Sequence, residues 1–497
     1  MIMLEISYQD ITNIVANLFI EANCHLQEEV FRAWMRALKE EDDPQAKEII
    51  SVMIKNAYLA WEEGMPLCQD TGQAVVFVCQ GEEVRITGKP IDEAINEGIE
   101  KGGREGYLRK SVTRDPLWRE HEGSFGPAVI HRKIIPGETL RIDLLPVGCG
   151  CEQMGGVEMF PPGDEEKTIR EFVLDRVKKA GSKPCPPNII GLGIGGDLEQ
   201  SAYLARMALL RPINTCPRLR SGKRNKELGH LERTLLEEIN ELNIGPQGLG
   251  GKTTVLAVNI EASSCHRANL PVAIAFNCHL GRGKSFVWGE DREKLVLDSD
   301  RGEGNFKKEL KETAEKVATF KDAVTVKLPL SEEVLSTLKA GDRVFLNGVV
   351  YTARDAAHKR LVKLIRESKD LPFELEGAVI YYVGPTPPKP GQIIGSAGPT
   401  TSARMDTYTP LLLSCGLRGM IGKGDRSPEV IKAIKKYKAV YFITFGGAGA
   451  FLSRHIAKSE VVAFDDLGTE AIRRLELKDF PAIVGCDAEG RSVYQEG

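Results

Sequence analysis

Cys68, Gln69 and Asp70 stand side by side in the stretch PLCQDTG, immediately ahead of the apolar run QAVVFV. A thiol, an amide and a carboxylate in one turn suit metal ligation or proton transfer. The same letters also fit an ordinary helix-to-strand turn around a buried thiol. The other cysteines bear on the choice. The chain has 11 in 497 residues, an odd number, widely scattered. No C-x-x-C occurs, so the usual thioredoxin-like and zinc-ribbon signatures are missing. GCGC at 148–151 is a C-x-C that fits a tight turn with incidental thiols. Cys185 in GSKPCPPNII and Cys278 in AIAFNCHLG, like Cys68, border apolar runs. By spacing alone all three read as core cysteines, and a few of the set could equally be metal or cluster ligands.

Two glycine motifs suggest nucleotides and fail on inspection. GLGIGG at 191–196 is not G-x-G-x-x-G, and no clear βαβ unit with a following acidic residue accompanies it. GPQGLGGKTT at 245–254 resembles a P-loop, but Pro246 occupies the position of its first glycine. The preceding LERTLLEEINELNIG reads as a helix where a P-loop needs a strand. ATP and GTP binding are rejected there, although the glycines permit close backbone approach to a cofactor or small anion.

The elements that must position these residues follow from patterning. Apolar residues at helical spacing fill 8–62. Strand-like QAVVFVCQ, AVIHRKII and TLRIDLLPV follow to about residue 150, and then helix and strand alternate to about 280. A length of 497 residues implies about two to four domains. Residues 1–284 are expected as one domain, the charged stretch 285–322 as a linker, and 323–497 as a second, compact α/β domain. There the strand GAVIYYVGP leads through a glycine loop into an expected helix over TTSARMDTYTPLLLSCG. The fold class is mixed α/β.

Hydrophobic residues make up 42% of the chain and charged residues 27%, as in a soluble globular protein. A net charge of −4 argues against a general nucleic-acid binder. The basic run RLRSGKRNK at 218–226 reads as a solvated surface, given the glutamates behind it. No secretory signal is visible and no window approaches the roughly 20 apolar residues of a membrane span. A cytoplasmic location without membrane or nucleic-acid partners is expected, and with it a reducing compartment in which the cysteines do not form a disulfide framework.

From about residue 60 onward the sequence resembles the class I fumarases, the iron–sulfur fumarate hydratases, and their relatives the L-tartrate dehydratases. PLCQDTG, GCGCEQM, NIGPQGLGGKTT, CHRANLPVAIAFNCHLGR, GVVYTARDAAH, GSAGPTTSARMD, MIGKGDRS, FGGAGAF and VVAFDDLG carry the resemblance in order. It implies an α+β N-terminal catalytic domain with a helical N-terminus and a C-terminal swivelling β/β/α-like domain. These are often separate α and β chains, fused here. It further implies a homodimer, and a [4Fe-4S] cluster held by Cys68, Cys185 and Cys278 with one iron left open. A serine commonly stands where this chain has Cys151, so Cys149 and Cys151 depart from the pattern and an alternative ligand role is open to them.

The implied reaction is reversible hydration of fumarate to (S)-malate, a step of the tricarboxylic acid cycle. Hydroxide is a poor leaving group, so a Lewis acid on its oxygen lowers the barrier. An iron with an open position, left by three thiolates, supplies one. By resemblance Asp70, His266 and Thr400 are the catalytic residues, with an Asp70–His266 contact expected to set the imidazole tautomer. Without the resemblance, His266 beside a strand reads as a satisfied core residue and Thr400 as a helix N-cap. Arg109, Arg354, Arg404 and Lys423 match substrate contacts, arginine gripping carboxylates through a two-pronged donor face and lysine acting as a point charge. Gln69, Gly148 and Gly150 are expected to line the site. L-Tartrate dehydration and mesaconate hydration need only a different pocket wall. An inactive iron–sulfur sensor and a zinc protein are the remaining readings.

Overall fold

A computed structural model describes residues 4–117, 123–163, 166–213, 226–288, 303–317, 320 and 323–494. All of the basic run at 218–226 but Lys226, and about half of 285–322, lie outside the described residues. The chain forms two compact units, each drawn from two stretches: Met1–Ile50 with Asp70–Glu315, and Ser51–Gln69 with Lys316–Gly497. The peptide bond joining Gln69 to Asp70, inside PLCQDTG, is therefore where the chain passes from one unit to the other.

In the first unit, Ser7 opens the helix Tyr8–Cys24, its Oγ accepting the Asp10 N–H at 3.2 Å. Ile11, Val15, Leu18 and Phe19 on one face are buried with Ile95 and Ile99 of the helix Ile91–Glu105. Glycine allows the two helices to approach: a Cβ at Gly102 would stand 2.6 Å from the Ala16 carbonyl oxygen. Both pack on a four-stranded sheet in the order Lys284–Trp288, Leu140–Val147, Gln73–Gly81, Val129–Ile135. Two parts of the stretch expected as a linker thus differ from that expectation. Residues 285–288 are sheet, Ser285 standing opposite Asp143. Glu303–Lys316 is a helix whose Phe306 packs on Phe31 with ring centroids 5.5 Å apart, and whose Glu309 pairs with Arg32. Apolar Phe306, Leu310 and Ala314 recur at four-residue spacing, which is why this charged segment docks.

A second four-stranded sheet has the order Gly156–Phe160, Leu270–Asn277, Asn188–Gly196, Val255–Cys265. GLGIGG is part of its third strand. Cβ atoms at Gly191 and Gly193 would collide with the Ala205 and Ser201 carbonyls, so these glycines let the helix Leu198–Ala208 lie directly on the strand. The other glycine motif follows the helix Lys226–Glu241 as a 3₁₀ turn, Pro246–Gly248. There Gln247 N–H donates to the Pro186 carbonyl at 2.9 Å, bracing the segment that carries Cys185.

The second unit is built on a seven-stranded sheet. Val324–Lys327, Arg343–Thr352, Val379–Tyr381, Gly419–Gly422 and Val440–Ile443 run parallel in that order. The long strand Ile472–Cys486 pairs antiparallel with both Val440–Ile443 and Arg343–Thr352, so the pairings close on themselves, and Ile456–Ala463 adds to its outer edge. TTSARMDTYTPLLLSCG is not one helix but a 3₁₀ turn, Ser402–Met405, and a helix, Thr409–Ser414. Thr401 is held extended by a bridge to Lys423, and the Asp406 carboxylate is drawn to Arg426 Nε and the Ser427 N–H, each at 2.7 Å. No helix among the described residues is long and apolar enough to cross a membrane.

Candidate functional site

The first unit gathers a polar corner around Asp70. Its Oδ1 accepts from Arg109 Nη2 at 2.9 Å and from the Gly72 N–H at 3.2 Å, while Oδ2 accepts the Cys149 N–H at 2.9 Å. Arg109 is buried and pinned through its backbone. Its N–H donates to Thr71 Oγ1 at 3.0 Å, and that hydroxyl donates to the Arg109 carbonyl at 2.9 Å. A second buried guanidinium, Arg282, donates to the Asp70 carbonyl at 2.6 Å and to Asn23 Oδ1 at 3.0 Å. Gly148 fits between them: a Cβ there would lie 3.0 Å from Arg282 Nη2 and 3.3 Å from Asp70 Oδ2. Gly150 follows within the short helix Cys149–Glu152, into which GCGC folds.

The same helix carries Cys151 to Cys278 and Cys185. All three are buried free thiols. Cys151 and Cys278 share a hydrogen bond, and the Cys151 sulfur also lies 3.8 Å from the Pro184 carbonyl. The bond from Cys151, with Arg282 nearby, holds the Cys278 thiol well below its usual range against the opposing effect of burial. Cys151 is pushed up correspondingly, by that bond and then by burial. Cys185 takes a left-handed backbone with φ 55°, uncommon for a residue with a Cβ. Its carbonyl accepts the His279 N–H at 3.2 Å. Among the described residues no group of three or more His, Cys, Asp or Glu is arranged to hold a metal ion. Ligands of a cluster stand around several metal atoms and so spread wider than those of one ion.

His266 is not part of this corner. It is exposed in the turn between the strands Val255–Cys265 and Leu270–Asn277, where its Nδ1 accepts the Ala268 N–H at 3.1 Å. The expected Asp70–His266 contact is not made within the chain, because the Asp70 carboxylate is engaged by Arg109 and two backbone N–H groups.

In the second unit the predicted residues collect at the carboxyl ends of the parallel strands, the edge at which α/β sheets bind ligands. Arg354 follows the strand ending at Thr352, and Lys423 the strand ending at Gly422. Thr400, also buried, donates its N–H to the Tyr382 carbonyl at 2.7 Å and accepts the Lys423 N–H at 3.3 Å through its own carbonyl. Thr400 is therefore no N-cap; it is strapped between two strand ends. Gln69 reaches the same edge, its Nε2 donating to the Pro399 carbonyl at 3.0 Å, and the Cys68 sulfur lies 3.3 Å from Gln69 Oε1. Leu67 anchors this segment by accepting the Gly449 N–H at 3.1 Å.

Two arginines on this edge already hold carboxylates. Arg404 Nε donates to Asp355 Oδ1 at 3.0 Å, with Nη2 on the other oxygen, and Arg354 Nη2 lies 3.4 Å from Glu470 Oε1. Burial alone would raise the Asp355 carboxyl, but Arg404 and then Arg354 hold it below its usual range. His358, one helical turn after Arg354, is fully buried and pushed down to about 4 by that burial. Asp355, Arg282 and Cys151 are members of the two sites that sequence reasoning did not assign. Asp355 and Arg282 lay inside TARDAAH and CHLGR, which made their neighbourhood legible but not their partners.

Both halves of the chain match known families. Residues 12–287 match the family described as fumarate hydratase (Fumerase), and residues 298–497 match the one described as fumarase C-terminus. The chain is 29% identical to a putative class I fumarate hydratase of Geobacillus stearothermophilus, covering 96% of this chain and 95% of the relative. It is 30% identical to the anaerobic class I fumarate hydratase of Escherichia coli, over 91% and 84% respectively. Over 55% of the chain it is 39% identical to 95% of a putative L(+)-tartrate dehydratase subunit alpha of Methanocaldococcus jannaschii.

Proposed function

Since the chain belongs to the class I fumarate hydratase family, a family of hydro-lyases, we propose that it interconverts fumarate and (S)-malate with the help of a [4Fe-4S] cluster. The observation that carries this reading is the run of matches through both halves, taken with the buried thiols at Cys185 and Cys278. The donor chemistry fits. Cys278 is favoured as a thiolate, the form that binds iron, and it is not tied up in a disulfide. Cys68, Cys185 and Cys278 are the proposed ligands. When bound, the cluster supplies a Lewis acid for the substrate hydroxyl.

The chain's own residues do the rest. Arg109, Arg354, Arg404 and Lys423 bind the substrate carboxylates, which charge and donor geometry favour. Gln69, Gly148 and Gly150 line the pocket, Gly148 by leaving room that a side chain would fill. Asp70 is the proposed proton-transfer group, oriented by Arg109 and the Cys149 N–H. Thr400 presents a hydroxyl from a backbone fixed on both sides. His266 acts from its exposed turn, without Asp70 as a partner in the same chain. A homodimer and a cytoplasmic location belong to the same proposal.

Dehydration of L-tartrate is the second reading, favoured by the 39% identity of the N-terminal half to a tartrate dehydratase alpha subunit. Anaerobically reconstituted protein assayed with fumarate, (S)-malate, L-tartrate and mesaconate separates them. Turnover of fumarate and malate is expected. Activity on tartrate with none on fumarate replaces the first reading by the second. A colourless, oxygen-indifferent active enzyme removes the cluster.

A further inference from the structure

We propose that Cys151 and Cys278 form a reversible redox pair, closing to a disulfide under peroxide when Cys278 carries no metal. The inference rests on the reading of Cys278 as a cluster ligand for its consequence, but not for its chemistry.

Three observations support it. Cys151 is hydrogen-bonded to Cys278, so the two sulfurs are already neighbours. A disulfide needs them at about 2 Å, a closure that side-chain rotation at two adjacent thiols can supply. Cys151 rides on a one-turn helix, Cys149–Glu152, whose neighbours Gly148, Gly150 and Gly155 carry no side chains to resist adjustment. Finally, a cavity of about 170 Å³ borders Cys151 and is walled by Val147, Gly156, Ala205 and Phe276. Glu152 and Arg206 also line it; they are ion-paired, and Glu152 is exposed, so this side opens toward solvent. Such a space admits a small neutral oxidant, since a water molecule takes about 30 Å³ in the liquid.

The chemistry balances. The Cys278 thiolate attacks one oxygen of hydrogen peroxide, the O–O bond breaks, and hydroxide leaves, giving a sulfenic acid at Cys278. The Cys151 sulfur then attacks that sulfenic sulfur and expels its hydroxyl group, which departs as water with the Cys151 thiol proton. Two thiols and one peroxide become one disulfide and two waters. The disulfide keeps Cys278 from oxidising further to sulfinic acid, a step thiol reductants do not reverse. A serine at residue 151 cannot perform this reaction.

Full-length protein, stripped of iron under anaerobic conditions, is exposed to hydrogen peroxide, alkylated with iodoacetamide and digested without reductant. Mass spectrometry is expected to find the Cys151 peptide joined to the Cys278 peptide. Dithiothreitol should then restore iron and sulfide uptake severalfold. In Cys151→Ser and Cys151→Ala the cross-link is expected to be absent and Cys278 to appear as sulfinic or sulfonic acid, with uptake not restored by dithiothreitol. Circular dichroism checks that both variants are folded. Full alkylation of Cys151 and Cys278 in the peroxide-treated wild type overturns the proposal, as does a Cys278 cross-link to Cys185 instead. A cross-link in a protein that binds no iron under any condition upholds the pair and removes the cluster reading; iron uptake without a cross-link does the reverse.

Discussion

Arg404 grips Asp355 with two parallel donors, Nε on Oδ1 at 3.0 Å and Nη2 on Oδ2, at the carboxyl edge of the C-terminal sheet. The pair fixes the guanidinium plane before any substrate arrives, which lowers the ordering cost of a later contact. Arg404→Lys keeps the charge but loses the fork. KM for fumarate is expected to rise about tenfold, the worth of one charge-assisted hydrogen bond. Iron content should be unchanged. Asp355→Asn should act in the same direction by loosening Arg404. Steady-state kinetics with iron analysis checks both, and an unchanged kcat/KM removes Arg404 from the substrate site.

Cys278→Ser is expected to abolish activity by loss of the cluster rather than of the fold. A serine hydroxyl is a poor iron–sulfur ligand, while its size suits the buried site. Iron, sulfide and visible absorbance should fall together, with the far-ultraviolet dichroism intact. Full iron occupancy in this variant would exclude Cys278 as a ligand.

Asp70→Asn retains shape and hydrogen-bonding capacity but cannot take a proton. kcat should fall by about 10² to 10⁴, the range for a general acid–base group. If Asp70 only orients Arg109, KM should move and kcat stay within a few-fold. Separate determination of kcat and KM distinguishes these outcomes.

His358 couples stability to pH. Burial lowers its folded-state value from 6.5 to about 4. Arg354, Asp355, Glu470 and Arg426 act on it electrostatically, its Nδ1 lies 2.9 Å from the Arg354 carbonyl, and the Tyr382 and Tyr408 rings pack around it. The folded state thus binds fewer protons than the unfolded one between these values, so stability rises with pH across that window. The contribution is fully present above pH 6.5 and is lost as pH falls toward 4, amounting to ~3 kcal/mol. Asp355, lowered from 3.8, acts only below this window. Denaturant titrations from pH 7 to 4 should show the slope in wild type and a weaker one in His358→Gln.

Gly193→Ala should cost roughly 1–3 kcal/mol, because the added methyl meets the Ser201 carbonyl of a packed helix that has no room to retreat. The denaturation midpoint measures it. A neutral effect would show that the helix Leu198–Ala208 can shift outward.

Periodicity made most elements legible. QAVVFVCQ, AVIHRKII and TLRIDLLPV lie in adjacent strands of one sheet, and GLGIGG is a strand made thin for a helix to cover. What local pattern cannot carry is competition between distant partners. TTSARMDTYTPLLLSCG has the composition of a helix, yet Lys423 and Arg426 pull Thr401 and Asp406 out of it. Asp70 and His266 were natural partners by chemistry, but Arg109 and the Cys149 N–H occupy the carboxylate first. Charge at 285–322 suggested a linker, while three apolar residues suffice to dock the helix Glu303–Lys316.

The segment Ser51–Gln69 comes early in the chain but completes the later unit. Asn56 donates to the Leu67 and Gly447 carbonyls at 3.0 and 3.1 Å and accepts the Phe451 N–H at 2.9 Å, and Leu67 accepts the Gly449 N–H. A polypeptide starting after residue 297 would lack this insert and leave those buried backbone groups orphaned. Severed at the junction between the two family matches, the halves are therefore obligate complements: the C-terminal fragment can finish folding only with its mate present. Gene fission at this point is tolerable only under co-expression, and the thiol of Cys68 travels with the fragment that does not own the unit it belongs to.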